Sequence, residues 1–234
     1  YNDNMGSGLI KSTNHGESWD LTYMDGIDDP YINALAFHPE NPDKMVVGTA
    51  YGNVFLSIDG GVNWKKESQP MNHIYLVAFN PFEPYELWVL GEKMVKSTNN
   101  EYTAWVDVPP PSGEPWVAER NNGFDRLHFS PNVSDSVYTI QMGVGYKSTN
   151  GGANWDEYGL DGLLFPHDIA ESLESSGIVA VYMGDRYFGI YKSTDDFVNW
   201  GKKNQGLTAA TPEYLSVSPA DPSVVFGSMQ HTPG

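Results

Sequence analysis

Five copies of a Ser-x-Asx turn closed by tryptophan, a strand-turn-strand pattern between them, and a period of about 45 residues predict an all-β chain of the propeller class. The turn segments run 11–19, 56–64, 96–105, 147–155 and 192–200. Their tryptophans stand at 19, 64, 105, 155 and 200, so the separations are 45, 41, 50 and 45 residues. Five of the seven tryptophans are used this way, which rules out coincidence.

The second pattern supplies the remaining strands. It reads Leu35 to Pro39 then Met45 to Gly48, and Val77 to Pro81 then Leu87 to Gly91. It returns as Leu127 to Pro131 then Val137 to Ile140, and as Leu215 to Pro219 then Val224 to Gly227. Each copy is an alternating strand A, a Pro-rich turn and a β-branched or aromatic strand B. Strand C leads into the Ser-x-Asx turn and strand D leaves it through the Trp. Four strands per period make a blade. Four complete blades follow, with half a blade at either end. If the halves join, the ring has five blades; otherwise the chain is an arc of a larger propeller. The opening Tyr1-Asn2-Asp3 and the loop-like ending 229–234 favour a single domain, 1–234, that is part of a longer chain.

The turns have a physical reading. Asn14, Asp59, Asn99, Asn150 and Asp195 can accept backbone hydrogen bonds, as can Ser12, Ser57, Ser97, Ser148 and Ser193. Gly16, Gly61 and Gly152 supply positive φ. Trp19, Trp64, Trp105, Trp155 and Trp200 then fold back over the turn. Glu101 and Phe197 stand where Gly is expected, and the third copy holds one extra residue. Those two turns are expected to be distorted.

The net charge is -17. Such a surface repels phosphate backbones and anionic membranes, so neither nucleic acid nor membrane is the expected partner. It suits an extracellular or cell-envelope protein. Cysteine is absent, which removes thiol nucleophiles, thiolate metal sites and disulfides. No run approaches the ~18 apolar residues of a membrane span, and the six histidines show no zinc spacing. No metal or cofactor is expected.

The repeats resemble the Asp-box, or BNR, family over essentially the whole chain. The Lys-Ser-Thr-Asn-Gly-Gly form is most similar to its xyloglucanase-type, sortilin-type and secreted bacterial branches. The resemblance implies that the boxes lie away from the ligand face, so all five read as structural. It also brings sialidases into view. Their site resembles three arginines gripping a carboxylate beside a Tyr nucleophile. Only Arg120, Arg126 and Arg186 are present, with no Arg-Ile-Pro motif, so sialidase activity is not expected.

Ligand chemistry belongs on the loops joining strands D to A and B to C: 24–33, 50–54, 70–75, 92–94, 108–125, 143–145, 160–168, 185–189 and 207–213. Aromatic and polar side chains suited to a glycan there are Tyr31, Tyr51, Trp116, Glu119, Arg120, Arg186 and Tyr187. Trp116 could equally cap its own Pro-rich loop. Glycoside hydrolysis needs two carboxylates about 5–10 Å apart. Asp168 and Asp185 are the loop candidates, but no motif assigns them a role. Glu171 aligns with Phe37 if Ile169 aligns with Leu35, which would bury a carboxylate with a raised pKa. Loss of the Ser-Pro turn in this blade favours instead a register shift that turns Glu171 to water. Asn132-Val-Ser134 fits a glycosylation acceptor. The expectation is a non-catalytic binding propeller that presents a loop-built face to a glycan or protein. The alternatives are a fragment of a xyloglucanase-like hydrolase and a scaffold or assembly factor for a protein complex.

Overall fold

The computed structural model describes residues 9–22, 31–111, 116, 127–141, 144–158, 166–174, 177, 179–185, 188–207, 211–218 and 220–230. All regular structure among them is antiparallel β. The chain groups into two units, Tyr1–Val108 and Pro109–Gly234.

In the first unit, β1 (Leu9–Lys11) and β2 (Asp20–Thr22) form a two-stranded sheet. β3 (Ile32–Phe37), β4 (Met45–Thr49), β5 (Val54–Ser57) and β6 (Lys65–Ser68) form a four-stranded blade. β7 (Ile74–Phe79), β8 (Leu87–Gly91), β9 (Met94–Ser97) and β10 (Trp105–Asp107) form the next. The second unit holds β11 (Leu127–Phe129), β12 (Val137–Gln141), β13 (Val144–Ser148) and β14 (Asp156–Tyr158) in one blade. β15 (Pro166–Leu173), β16 (Val179–Asp185), β17 (Gly189–Ser193) and β18 (Gly201–Lys202) make another. β19 (Thr211–Val217) and β20 (Val225–Gln230) pair as a two-stranded sheet.

The strand B segments are buried on both faces, as Met45–Thr49 and Leu87–Gly91 show. That is why they read as unbroken apolar runs rather than alternating ones. Between the two blades of the first unit, Val46, Val54, Ile74, Val77, Phe79 and Val89 form one core cluster. The blades meet closely: a Cβ on Gly48 would fall 2.5 Å from the Ile74 Cγ2, so only glycine fits. In the second unit Ile140, Ile169, Val181, Met183 and two aromatic rings play the same part.

Four inner strands share one irregularity. The register slips between Ile32 and Ala34, Ile74 and Leu76, Pro166 and Asp168, and Pro212 and Tyr214. Each is a β-bulge, which leaves one residue outside the ladder and re-aims its side chain. Counting from the bulge, Leu35 faces Val47 and Phe37 faces Met45, while Ile169 faces Met183 and Glu171 faces Val181. The alignment of Glu171 with Phe37 therefore holds. The expected turn of Glu171 to water does not occur, because the bulge lies upstream and is common to the blades. Glu171 is only 5% exposed.

The Ser-x-Asx turns are built as their residue types require. Ser12, Ser57, Ser148 and Ser193 each donate to the Asx Oδ1 at 2.9 Å. The same Ser oxygens accept the amides of Gly16, Gly61, Gly152 and Phe197 at 2.8–3.0 Å. The Asx oxygen then accepts the amide four residues on, at 2.9 Å in Ser18, Asn63, Asn154 and Asn199. Trp64 folds back and donates its indole N–H to the Gly61 carbonyl at 3.1 Å. Trp19 lies over Gly16 but stays exposed. Trp105 instead reaches the Ser68 hydroxyl of the preceding blade at 3.1 Å.

The fifth turn corrects one expectation. Phe197 keeps the full hydrogen-bond set by adopting φ 73°, so the turn is not distorted. The third turn does depart. Ser97 turns away to accept the Leu87 amide and donate to the Tyr85 carbonyl, leaving Asn99 to hold Thr103 and Ala104. Its extra residue moves the left-handed position to Tyr102, at φ 54°. Both Tyr102 and Phe197 bury their rings in the core clusters, and that burial offsets the roughly 1–2 kcal/mol cost of a left-handed non-glycine residue.

Candidate functional site

The bulges build a surface at the loop end of the first unit. Tyr31 precedes β3, and Tyr51 lies in the loop from β4 to β5. Their rings meet edge-on at 6.1 Å, and they are 59% and 54% exposed. The Ala50 amide donates to the Tyr31 carbonyl at 2.8 Å, which ties the two segments together. Gln69 donates its side-chain amide to the Tyr51 carbonyl at 2.8 Å. The loop turns at Gly52, φ 76°, where a Cβ would fall 1.8 Å from the Met71 carbonyl oxygen. Only glycine allows segments 50–53 and 70–73 to approach this closely.

The bulge residues continue this surface. Asn33 donates to the Ile74 carbonyl at 2.8 Å and lies 3.3 Å from the His73 Nε2. Tyr75 packs its ring on His73 at 4.4 Å. Glu92, from the loop between β8 and β9, accepts the amides of Asn72 and His73 at 2.7 and 3.1 Å. Burial opposes its ionisation, yet those amides hold the Glu92 carboxyl below the ordinary glutamate range. The arrangement is an exposed aromatic pair flanked by amide and imidazole groups on a pinned loop. It can present apolar ring faces and short hydrogen-bonding side chains to the same ligand. Sequence reasoning found Tyr31 and Tyr51 but missed Asn33, Gln69, His73 and Tyr75. The broken alternation in Ile74–Phe79 was the available signal.

In the second unit Glu171 lies in a cleft of about 640 Å³. Its Oε1 accepts the Ser130 hydroxyl at 2.7 Å and the Asn132 side-chain amide at 3.1 Å. Its Oε2 lies 3.8 Å from the His128 Nε2. Burial works against the charge, but His128, Ser130 and Asn132 together hold the carboxyl below its ordinary range. The raised pKa expected from the sequence is thus reversed, because the pocket is polar on the side that meets the carboxylate. An ionised Glu171 is not a general acid. Asn132, the glycosylation candidate, has its side-chain amide engaged here.

The other carboxylates do not join it. Asp168 accepts the Leu215 amide at 2.7 Å and, three residues from Glu171 on a regular strand, points to the opposite face. Asp185 is fully buried and accepts the Phe188 amide at 2.8 Å, tying the end of β16 to the residue before β17. Trp116 is buried against a turn tryptophan. It is 8% exposed and meets Trp155 edge-on at 5.8 Å, while Trp155 donates to the Pro109 carbonyl at 3.0 Å. A ring so covered does not serve as a platform, which corrects its place among the ligand candidates. Glu119, Arg120, Arg186 and Tyr187 lie outside the described residues. Among the described residues no cluster of three His, Asp or Glu side chains could hold a metal.

No protein-family model matches the sequence, and no curated protein does. Solved structures do match. An ancestral GH74 enzyme superposes with a TM-score of 0.70 at 24% identity, over 92% of this chain and 31% of its own. The GH74 xyloglucanase from Xanthomonas campestris gives 0.71 at 17% identity, over 96% and 39%. The fold is that of a β-propeller. YCF48 bound to D1 peptide matches more loosely, at 0.57 and 16% identity over 87% of this chain and 64% of that one. The propeller chain spans less than two fifths of either GH74 enzyme.

Proposed function

We propose that the propeller is an extracellular or cell-envelope module of the Asp-box type that binds a glycan on its loop-built face without cleaving it. The observation that carries this reading is the exposed Tyr31–Tyr51 pair, set beside Asn33, Gln69 and His73. Sugar rings have apolar C–H faces and a hydroxyl rim, and this surface offers both complements. The Asp-box assignment is supported by four turns with one shared hydrogen-bond pattern. The net charge of -17 suits neutral polymers and a solvent-exposed location.

A hydrolase reading stands second, favoured by the two GH74 superpositions. One experiment separates the two. The purified chain is incubated with a panel of soluble plant and algal polysaccharides, and both retention and released reducing ends are scored. Retention without release, weakened about tenfold in Tyr51→Ala, is the expected result. Release from one polymer overturns the non-catalytic reading. No retention on any polymer turns the assignment towards a protein partner, as in a scaffold or assembly factor.

A further inference from the structure

Glu171 and His128 leave two polar atoms facing each other. Glu171 Oε2 and His128 Nε2 are both buried and have no hydrogen-bond partner among the described residues. They stand 3.8 Å apart, too far for a direct hydrogen bond and close enough for one small donor to touch both. The second carboxylate oxygen is already taken by Ser130 and Asn132. Among the described residues no Lys or Arg lines the cleft. A buried carboxylate that faces an imidazole without a hydrogen bond to it is costly, and a ligand cation in hydrogen-bond contact would relieve that cost.

We propose that this cleft binds a primary ammonium group carried on a short aliphatic stem. Three N–H donors on one atom can serve Oε2 and, with the ring proton on Nδ1, the Nε2 lone pair. A guanidinium fits less well, because its fork seeks both carboxylate oxygens and Oε1 is occupied. Among the described residues a metal ion would find only these two unpartnered ligand atoms. A hydroxyl would satisfy the hydrogen bonds but not the charge. The stem has its own wall in Pro131, Leu173, Leu215, Val217 and Pro222. The acidic surface raises the local concentration of cations. This site is independent of the glycan reading.

A free amine and a lysine side chain both carry such a group, and the probes distinguish them. The intact chain is titrated with n-butylammonium, N-acetyl-lysine methylamide and 1-butanol, following heat and the His128 ring proton resonances. Both ammonium probes are expected to saturate at one site, and 1-butanol to show no binding. Binding of the lysine derivative alone would support a peptide ligand; binding of both would admit a free amine. Glu171→Gln should weaken binding tenfold or more. Leu173→Arg, at a rim position 44% exposed, should block it equally and carries the test if Glu171→Gln does not fold. The proposal is overturned if neither ammonium probe saturates, if 1-butanol binds as well, or if Leu173→Arg binds like the parent chain.

Discussion

The Phe197 ring stacks on Tyr138, centroids 5.1 Å apart and planes at 26°, while the Phe197 backbone stands at φ 73°. One residue thus carries both a turn that favours glycine and a contact that joins two blades. Phe197→Ala loses the ring and keeps the strain, so it should cost about 3–5 kcal/mol. Phe197→Gly loses the same ring but relieves the backbone by about 1 kcal/mol. Glycine should therefore be the milder replacement, reversing the usual order in strands. Chemical denaturation of the two variants decides it, and an alanine variant as stable as the glycine one would refute the account.

Asp59 makes the second turn pH-sensitive. The Asn63 backbone amide first, then the Asn63 side chain, hold its carboxyl at about 2 against an ordinary 3.8. A depressed pKa stabilises the fold above the unfolded value. That contribution is fully present above pH 3.8 and fades as pH falls towards about 2. Asp59→Asn keeps the oxygen acceptor but not the charge. It should melt below the parent chain at neutral pH and converge with it near the lower limit. A melting difference independent of pH across that window would count against the carboxylate as its source.

Trp116 and Tyr51 should separate stability from binding. Trp116→Ala empties a buried site and is expected to cost about 3–5 kcal/mol, with polysaccharide retention unchanged in the folded fraction. Tyr51→Ala removes an exposed ring and should leave the melting temperature nearly unchanged while retention falls. Loss of retention in Trp116→Ala at full folding would return Trp116 to the binding face.

Gly52→Ala tests the loop apposition. Its backbone is left-handed and its Cβ would collide with the Met71 carbonyl, so segment 70–73 must move. Retention should fall with Tyr51 intact, and amide exchange at Asn72 and His73 should quicken. Unchanged exchange at both would remove the apposition from the binding argument.

The repeats were legible because each turn spells out its own hydrogen bonds: Ser57, Asp59, Gly61 and Trp64 do in the structure what their types allow. Phe197 was misread because propensity penalises a left-handed phenylalanine, and only tertiary burial of its ring makes up for it. The charge state of Glu171 was illegible for a similar reason. Ser130 and Asn132 lie about 40 residues away, and nothing in the sequence brings their donors to one carboxylate. The loop-end cluster was half visible, since aromatics announce themselves, whereas Asn33 and Tyr75 reach the surface through the bulge in each strand that aims them.

That bulge has a consequence for how such a protein changes over generations. A residue outside the ladder, as Asn33 and Tyr75 are, is released from the inward-outward alternation that fixes its neighbours. Substitution there alters what the surface displays while the packing of Val77, Phe79 and their partners is untouched. The fold keeps separate positions for holding together and for selecting a ligand, and new specificities can be tried at the second kind without endangering the first.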